Sequence, residues 1–146
     1  MGTSVIYYFT GTGNSLVLAK IVAERLGADL IPIASVIDQE AIETDANVIG
    51  ITFPVYYADL PNIVRRFSGK LRMPEGAYVF AVASYGGAAG QSLKSLARAL
   101  ESRGKRLSAG FGVHMPQNAF RKPWEVKRWI YGGARRRAEF VARSVA

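Results

Sequence analysis

SVIYYFTGTGNSLVLAKIVAERLG, residues 4–27, passes from β-forming residues through a run of hydroxyl, glycine and amide side chains into a helical pattern. The opening apolar run reads as a buried strand. Leu18, Val22 and Leu26 then recur at helical spacing, and Gly27 stands where a helix commonly ends in the left-handed conformation. Strand, turn and helix form the first half of a βαβ unit, and the rest of the chain repeats that period. DLIPIA (29–34) is a short second strand, placed at an edge because Pro32 cannot donate to a ladder. NVIGITFPVYY (47–57) is a third, followed by a helix over about 61–69 whose apolar face is Ile63, Val64 and Phe67. AYVFAVASYGG (77–87) is a fourth. The next helix carries Leu93, Leu96, Ala97 and Leu100 on one stripe and stops at Gly104. RLSAGFGVHMP (106–116) is the fifth strand, and a last helix begins near Trp124 with a kink expected at Gly132 and Gly133.

Five strands separated by helices predict an α/β fold: one parallel sheet with right-handed crossovers and helices on both faces. At 146 residues the chain is expected to be one domain, and 49% apolar content can fill its core. No basic-then-apolar leader opens it and no apolar run approaches bilayer-spanning length, so the expected location is cytoplasmic. With no cysteine, disulfides, a catalytic thiol and a thiolate-held iron–sulfur centre are excluded. One histidine and scattered acids offer no metal cluster, so redox chemistry would need an organic cofactor.

In such sheets ligands bind beyond the carboxyl ends of the strands, where strand order reverses. The unusual loops all follow strands: TGTGNS after the first, FPVYYADLP after the third, SYGGAAG after the fourth. A glycine-containing turn into a helix N-terminus offers free N–H groups and a positive dipole end, the chemistry of a phosphate site. Thr10, Thr12, Asn14 and Ser15 add neutral donors, while Gly11 and Gly13 permit close backbone approach. The lysine of a nucleotide-hydrolysing P-loop is absent, and the third glycine of a dinucleotide fingerprint would fall on Leu16. An N-cap and tight turn without ligand is the plain alternative. Pro54, Val55, Tyr56 and Tyr57 present an aromatic shelf, and Ser84, Tyr85, Gly86, Gly87 and Gly90 a glycine-rich edge, suited to a flat heterocycle. Loop packing is the alternative for each tyrosine. Together, a phosphate cradle, a shelf and an edge suggest flavin mononucleotide, FMN.

FTGTGNS is similar to the phosphate-binding loop of flavodoxins, and FPVYYADLP, SYGGAAG and HMPQN together resemble the flavodoxin domain of flavin-plus-ferredoxin proteins, over residues 4 to about 120. The resemblance implies a flavodoxin-like three-layer sandwich with strand order 2-1-3-4-5. It also implies FMN with its phosphate on residues 10–15 and its ring between the 54–57 and 84–90 loops. Asn118 lies in the matching stretch. Two features depart from the pattern: no cysteine-bearing ferredoxin module is present, and the net charge is +8 where flavodoxins are typically acidic. Positive charge near a flavin should ease its reduction, within the limits of screening.

The function expected is electron transfer through FMN between redox partners, with an acidic partner such as a ferredoxin or reductase, no metal and no amino-acid acid or base. An FMN-dependent oxidoreductase acting on a quinone, a porphyrinogen or NAD(P)H, and a flavin-free interaction module, are the alternatives. A phospho-receiver domain is excluded by the absence of acids after strands one and three. His114 is read as structural rather than as a proton shuttle, and Asp59 as a helix cap. Residues 121–146 hold eight Lys/Arg against Glu125 and Glu139, which places the charge excess at the C-terminus. Trp124, Val126, Trp129, Ile130, Phe140 and Val141 are expected to bury against the sheet with Arg135, Arg136 and Arg137 in water. The other reading is a basic segment that docks an acidic protein, a membrane surface or nucleic acid.

Overall fold

A computed structural model describes residues 3–10, 14–55, 59–87, 90–115 and 124–145, with backbone alone for Asn14, 124–132 and Ala134. The apolar runs form strands covered on both faces, as parallel sheets require. These are β1 (Ser4–Tyr8), β2 (Asp29–Pro32), β4 (Val48–Pro54), β6 (Tyr78–Tyr85) and β7 (Ala109–His114). They lie in the order β2-β1-β4-β6-β7, every pair parallel. This is the expected 2-1-3-4-5 order; the labels shift because two further strands intervene. β3 (Ile42–Glu43) and β5 (Leu71–Arg72) pair in a separate two-stranded sheet. Elements of two residues carry no periodicity, so the sequence pattern does not announce them. Pro32 sits on the outer strand, paired with Tyr8 at its end, where its missing N–H costs no central ladder bond.

The strand period of two sends alternate residues into two cores. Val5, Tyr7, Ile49, Ile51, Phe53, Val79, Ala81 and Ala83 face α2 (Ile33–Val36), α3 (Asn62–Lys70) and α4 (Ser92–Glu101). Ile6, Phe80, Val82 and Val113 face α1 (Asn14–Leu26) and α5 (Trp124–Val145). Gly50 lies on this second face because a methyl group there would come within 2.6 Å of the buried Phe80 ring. Gly27 and Gly104 adopt the expected left-handed conformation, φ 64° and 72°, and the turn at Gly104 is closed by Lys105 N–H donating to the Leu100 carbonyl.

Two expectations are corrected. The N-cap of α3 is Pro61, with no side-chain cap bond, so Asp59 does not cap it. α5 runs as one 22-residue helix through Gly132 and Gly133. Phe140 is 44% exposed; Ala138, Val141 and Ala142 are the buried residues of its described portion. α5 therefore packs against the sheet as the first of the two readings holds, with Trp124, Val126, Trp129 and Ile130 outside the described side chains. Arg135, Arg136 and Arg137 are exposed as expected, and Arg137 also lies over the rings of Phe111 and Phe140, at 5.9 and 5.0 Å. Glu139 accepts from Arg25 on α1 at 3.3 Å and lies 3.7 Å from Arg135.

Candidate functional site

Strand order reverses between β1 and β4, which places a crevice beyond the carboxyl ends of these strands. The segments leaving β1, β4, β6 and β7 are fastened to one another one step past the sheet. Phe9 N–H donates to the Thr52 carbonyl, Val55 N–H to Ser84 and Met115 N–H to Tyr85, at 2.9, 2.9 and 2.8 Å. The three candidate loops thus start side by side from a rigid edge, as a preorganised site needs.

α1 begins at Asn14, directly beyond β1, and its first turn holds no acidic side chain. Its N-terminal N–H groups and positive dipole end face no carboxylate of their own helix. Thr10 is half-buried, and Ser15 is nearly fully buried. Ser15 Oγ and Ser84 Oγ are 2.9 Å apart, so α1 is pinned to the end of β6 by a hydroxyl pair. Ser84 Oγ has a second, longer approach of 3.5 Å to the Phe53 carbonyl. Thr52 shares the α1 face with Gly50, two residues before it, and Ser84 shares it with Val82. Thr52 Oγ1 is buried and has no hydrogen-bond partner among the described residues. A buried hydroxyl left unpaired is costly, and this one lies two residues before Pro54 at the end of β4.

At the second and third loops, Pro54 and Val55 are half-buried, Tyr85 and Gly86 are half-buried, and Gly87 and Gly90 are exposed. Gly90 has φ 59°, the left-handed conformation that favours glycine. The Tyr85 ring packs on His114, centroids 5.5 Å apart and tilted by 33°. His114 Nε2 lies 3.0 Å from the Gly86 carbonyl, which fixes the proton on that nitrogen. His114 is thus structural, tying the end of β7 to the glycine-rich edge. Asp59 is a tie of the same kind. Its Oδ1 accepts from Ser95 Oγ of α4 at 2.6 Å and from Leu60 N–H at 2.7 Å. Those bonds, with a smaller effect of Arg65 at 3.9 Å, hold its carboxyl below the ordinary carboxylate range.

Of the sequence-predicted site residues, Thr10, Asn14, Ser15, Pro54, Val55, Ser84, Tyr85, Gly86, Gly87 and Gly90 all fall at this one end of the sheet. Gly11, Thr12, Gly13, Tyr56 and Tyr57 lie outside the described residues, as does Asn118. Thr52 was missed by sequence reasoning; its only signal is a hydroxyl inside the apolar run VIGITFP. His114 was noted without its partner, since only the folded chain brings it to Gly86. Three clefts elsewhere, lined in turn by 73–77 with 103–108, by 3–7 with 43–46, and by α3 with α4, do not include any of these residues.

No family model and no curated protein matches the sequence. Solved structures do match in shape. A flavodoxin from the domain Archaea aligns with a TM-score of 0.61 and 15% identity, over 98% of both chains. Two-electron reduced flavodoxin of Megasphaera elsdenii aligns at 0.55 and 19% identity, over 97% of this chain and 99% of that one. The fold is flavodoxin-like. An FMN-dependent NADH-azoreductase from Bacillus anthracis, in complex with FMN, aligns at 0.60 and 13% identity, over 97% of this chain and all of the other. The flavodoxin-like fold is therefore shared by flavodoxins and an azoreductase, and the site must decide between functions.

The described donors fit a phosphate monoester held without a cation: the Thr10 and Ser15 hydroxyls lie at the start of α1, whose first turn carries no acid, and the unpartnered Thr52 hydroxyl is buried on the same face of the sheet. No group of three or more His, Cys, Asp or Glu residues is assembled among the described residues. Among those residues, no helix is long and apolar enough to cross a membrane.

Proposed function

We propose that residues 1–146 form one FMN-binding domain that passes electrons between redox partners, akin to the flavodoxin domain of flavin-plus-ferredoxin proteins. The observation that carries this reading is the convergence of three loops at the strand-order reversal, with a helix start free of acidic side chains at its centre. Thr10, Gly11, Thr12, Gly13, Asn14 and Ser15 would hold the phosphate. Pro54 to Tyr57 and Ser84 to Gly90 would flank the ring. Bound FMN would supply reversible electron uptake, chemistry no side chain of this chain provides.

The protein's own contribution is positional. The Ser15–Ser84 pair fixes the cradle against the edge, and His114 holds Gly86 in place, so the backbone N–H groups of that edge keep one orientation. No described residue is needed as a general acid or base. An acidic electron partner, a ferredoxin or reductase, would suit a chain of net charge +8.

The test is anaerobic reduction of the FMN-loaded protein, followed by mixing with an oxidised ferredoxin. Retained flavin that reduces stoichiometrically and hands electrons on supports a carrier. Flavin that is lost on gel filtration at saturating FMN removes the cofactor reading. Steady-state oxidation of NADH by a quinone, dependent on bound FMN, would assign the enzyme alternative instead.

A further inference from the structure

The amino end of the sheet carries a second, chemically different site. Between Arg65 and Arg106 the chain holds nine Lys/Arg against Glu75 and Glu101 alone. The fold gathers several of these into two adjoining clefts. One, of about 760 Å³, lies between the segments preceding β6 and β7 and is lined by Arg103, Lys105, Arg106, Ser108 and Glu75. The other, of about 350 Å³, lies between α3 and α4 and is lined by Arg65, Arg98, Arg103, Ser68 and Ser102. Arg103 lines both. Its guanidinium rests against the last turn of α3, where a methyl group at Gly69 would lie 3.6 Å from Nη2. Arg103 is thus the residue that the two halves of this basic groove have in common.

Glu75 is the one acid among the described residues that lines either cleft. Among the described residues, Arg72, Arg98, Arg103, Lys105 and Arg106 make no ion pair, and Arg65 reaches Asp59 only at 3.9 Å. Burial, followed by the charges of Arg103 and Arg72, holds the Lys105 ammonium below its ordinary value. Like charges held this close favour a bound anion. No aromatic side chain lines either cleft, so the groove has no platform for a nucleobase. Guanidinium groups take phosphoryl oxygens in pairs, and Arg65, Arg98, Arg103 and Arg106 all line the two clefts.

We propose that this groove binds a condensed phosphate chain at Arg103, with phosphoryl groups held from both clefts. The inference is independent of the FMN reading, because the two sites lie at opposite ends of the strands. The chain could be free or carried on a larger molecule, since only the phosphates are recognised.

The test is calorimetric titration of the FMN-free full chain with tripolyphosphate, pyrophosphate and orthophosphate at constant ionic strength, with citrate as a carboxylate control. ATP in a parallel arm distinguishes a carried chain from a free one. Tripolyphosphate is expected to bind at one per chain, at least tenfold tighter than orthophosphate and than citrate. Arg103→Ala should weaken it at least tenfold, Arg103→Lys less, and Arg137→Ala on the opposite face not at all. Circular dichroism confirms that each variant is folded. Equal response to citrate, a stoichiometry well above one, or binding unchanged in Arg103→Ala would overturn the proposal.

Discussion

The two ends of the sheet solve the problem of an anion in opposite ways. At the carboxyl end, neutral groups are tied to one another, the Ser15 hydroxyl to Ser84 and the Gly86 carbonyl to His114, with the buried Thr52 hydroxyl unpartnered. At the amino end, five cations stand with no ion-pair partner among the described residues. The first arrangement places neutral dipoles at fixed positions and is insensitive to salt. The second stores repulsion that salt or a ligand relieves. Affinity built from oriented dipoles suits a resident cofactor, whereas affinity built from loose cations suits a ligand that comes and goes.

Substitutions can set the two ends against each other. The largest effect is expected where both share a foundation. Gly50→Val drives a branched side chain into the buried Phe80 ring and should destabilise by about 1–3 kcal/mol or more, read as a lower urea midpoint whatever ligand is present. Next comes the clasp at the carboxyl end. Ser15→Ala leaves the buried Ser84 hydroxyl with only its longer contact to the Phe53 carbonyl and should cost about 1 kcal/mol, while adding Ser84→Ala should return part of that loss. A double-mutant cycle measures the difference. His114→Ala should leave stability nearly unchanged and weaken FMN several-fold, because it frees Gly86 without opening the core.

Most of this architecture is legible in the sequence, for identifiable reasons. The runs ending at Pro54 and Tyr85 are too continuously apolar for one-sided strands, so a doubly covered parallel sheet follows. Gly27 and Gly104 mark helix ends because left-handed turns select glycine. The candidate loops stand out because each follows a strand. The charge map does not. Counted along the chain, the excess lies after residue 120, but Arg135 pairs with Glu139 and Arg137 packs on two rings. The cations from Arg65 to Arg106 are diluted by a whole strand in sequence and converge only when α3 packs beside α4. The Thr52 hydroxyl is likewise hidden within a strand whose other residues are apolar or glycine.

Two smaller effects separate the ends by solvent conditions. Asp59 has a depressed carboxyl, so its contribution to stability is complete above the ordinary carboxylate value of 3.8 and is lost as pH falls through the folded value. Asp59→Asn should therefore lower the thermal midpoint at pH 7, with the gap to the parent protein closing in strong acid. At the amino end, Lys105→Ala should raise the midpoint slightly at low salt, by about 0.5 kcal/mol or less, and this gain should vanish in 0.5–1 M salt, where the Debye length shrinks to roughly 3–4 Å. The carboxyl-end variants should show no such salt dependence.

A phosphate cradle at the carboxyl end can be tested by comparing FMN with riboflavin in flavin fluorescence titrations of the cofactor-free protein. FMN should bind saturably at one per chain and riboflavin at least about 100-fold more weakly, equivalent to about 2.7 kcal/mol carried by the phosphate. Thr10→Val should narrow that gap. Equal affinity for the two flavins, or no binding of FMN, would show that the carboxyl end is not a phosphate cradle.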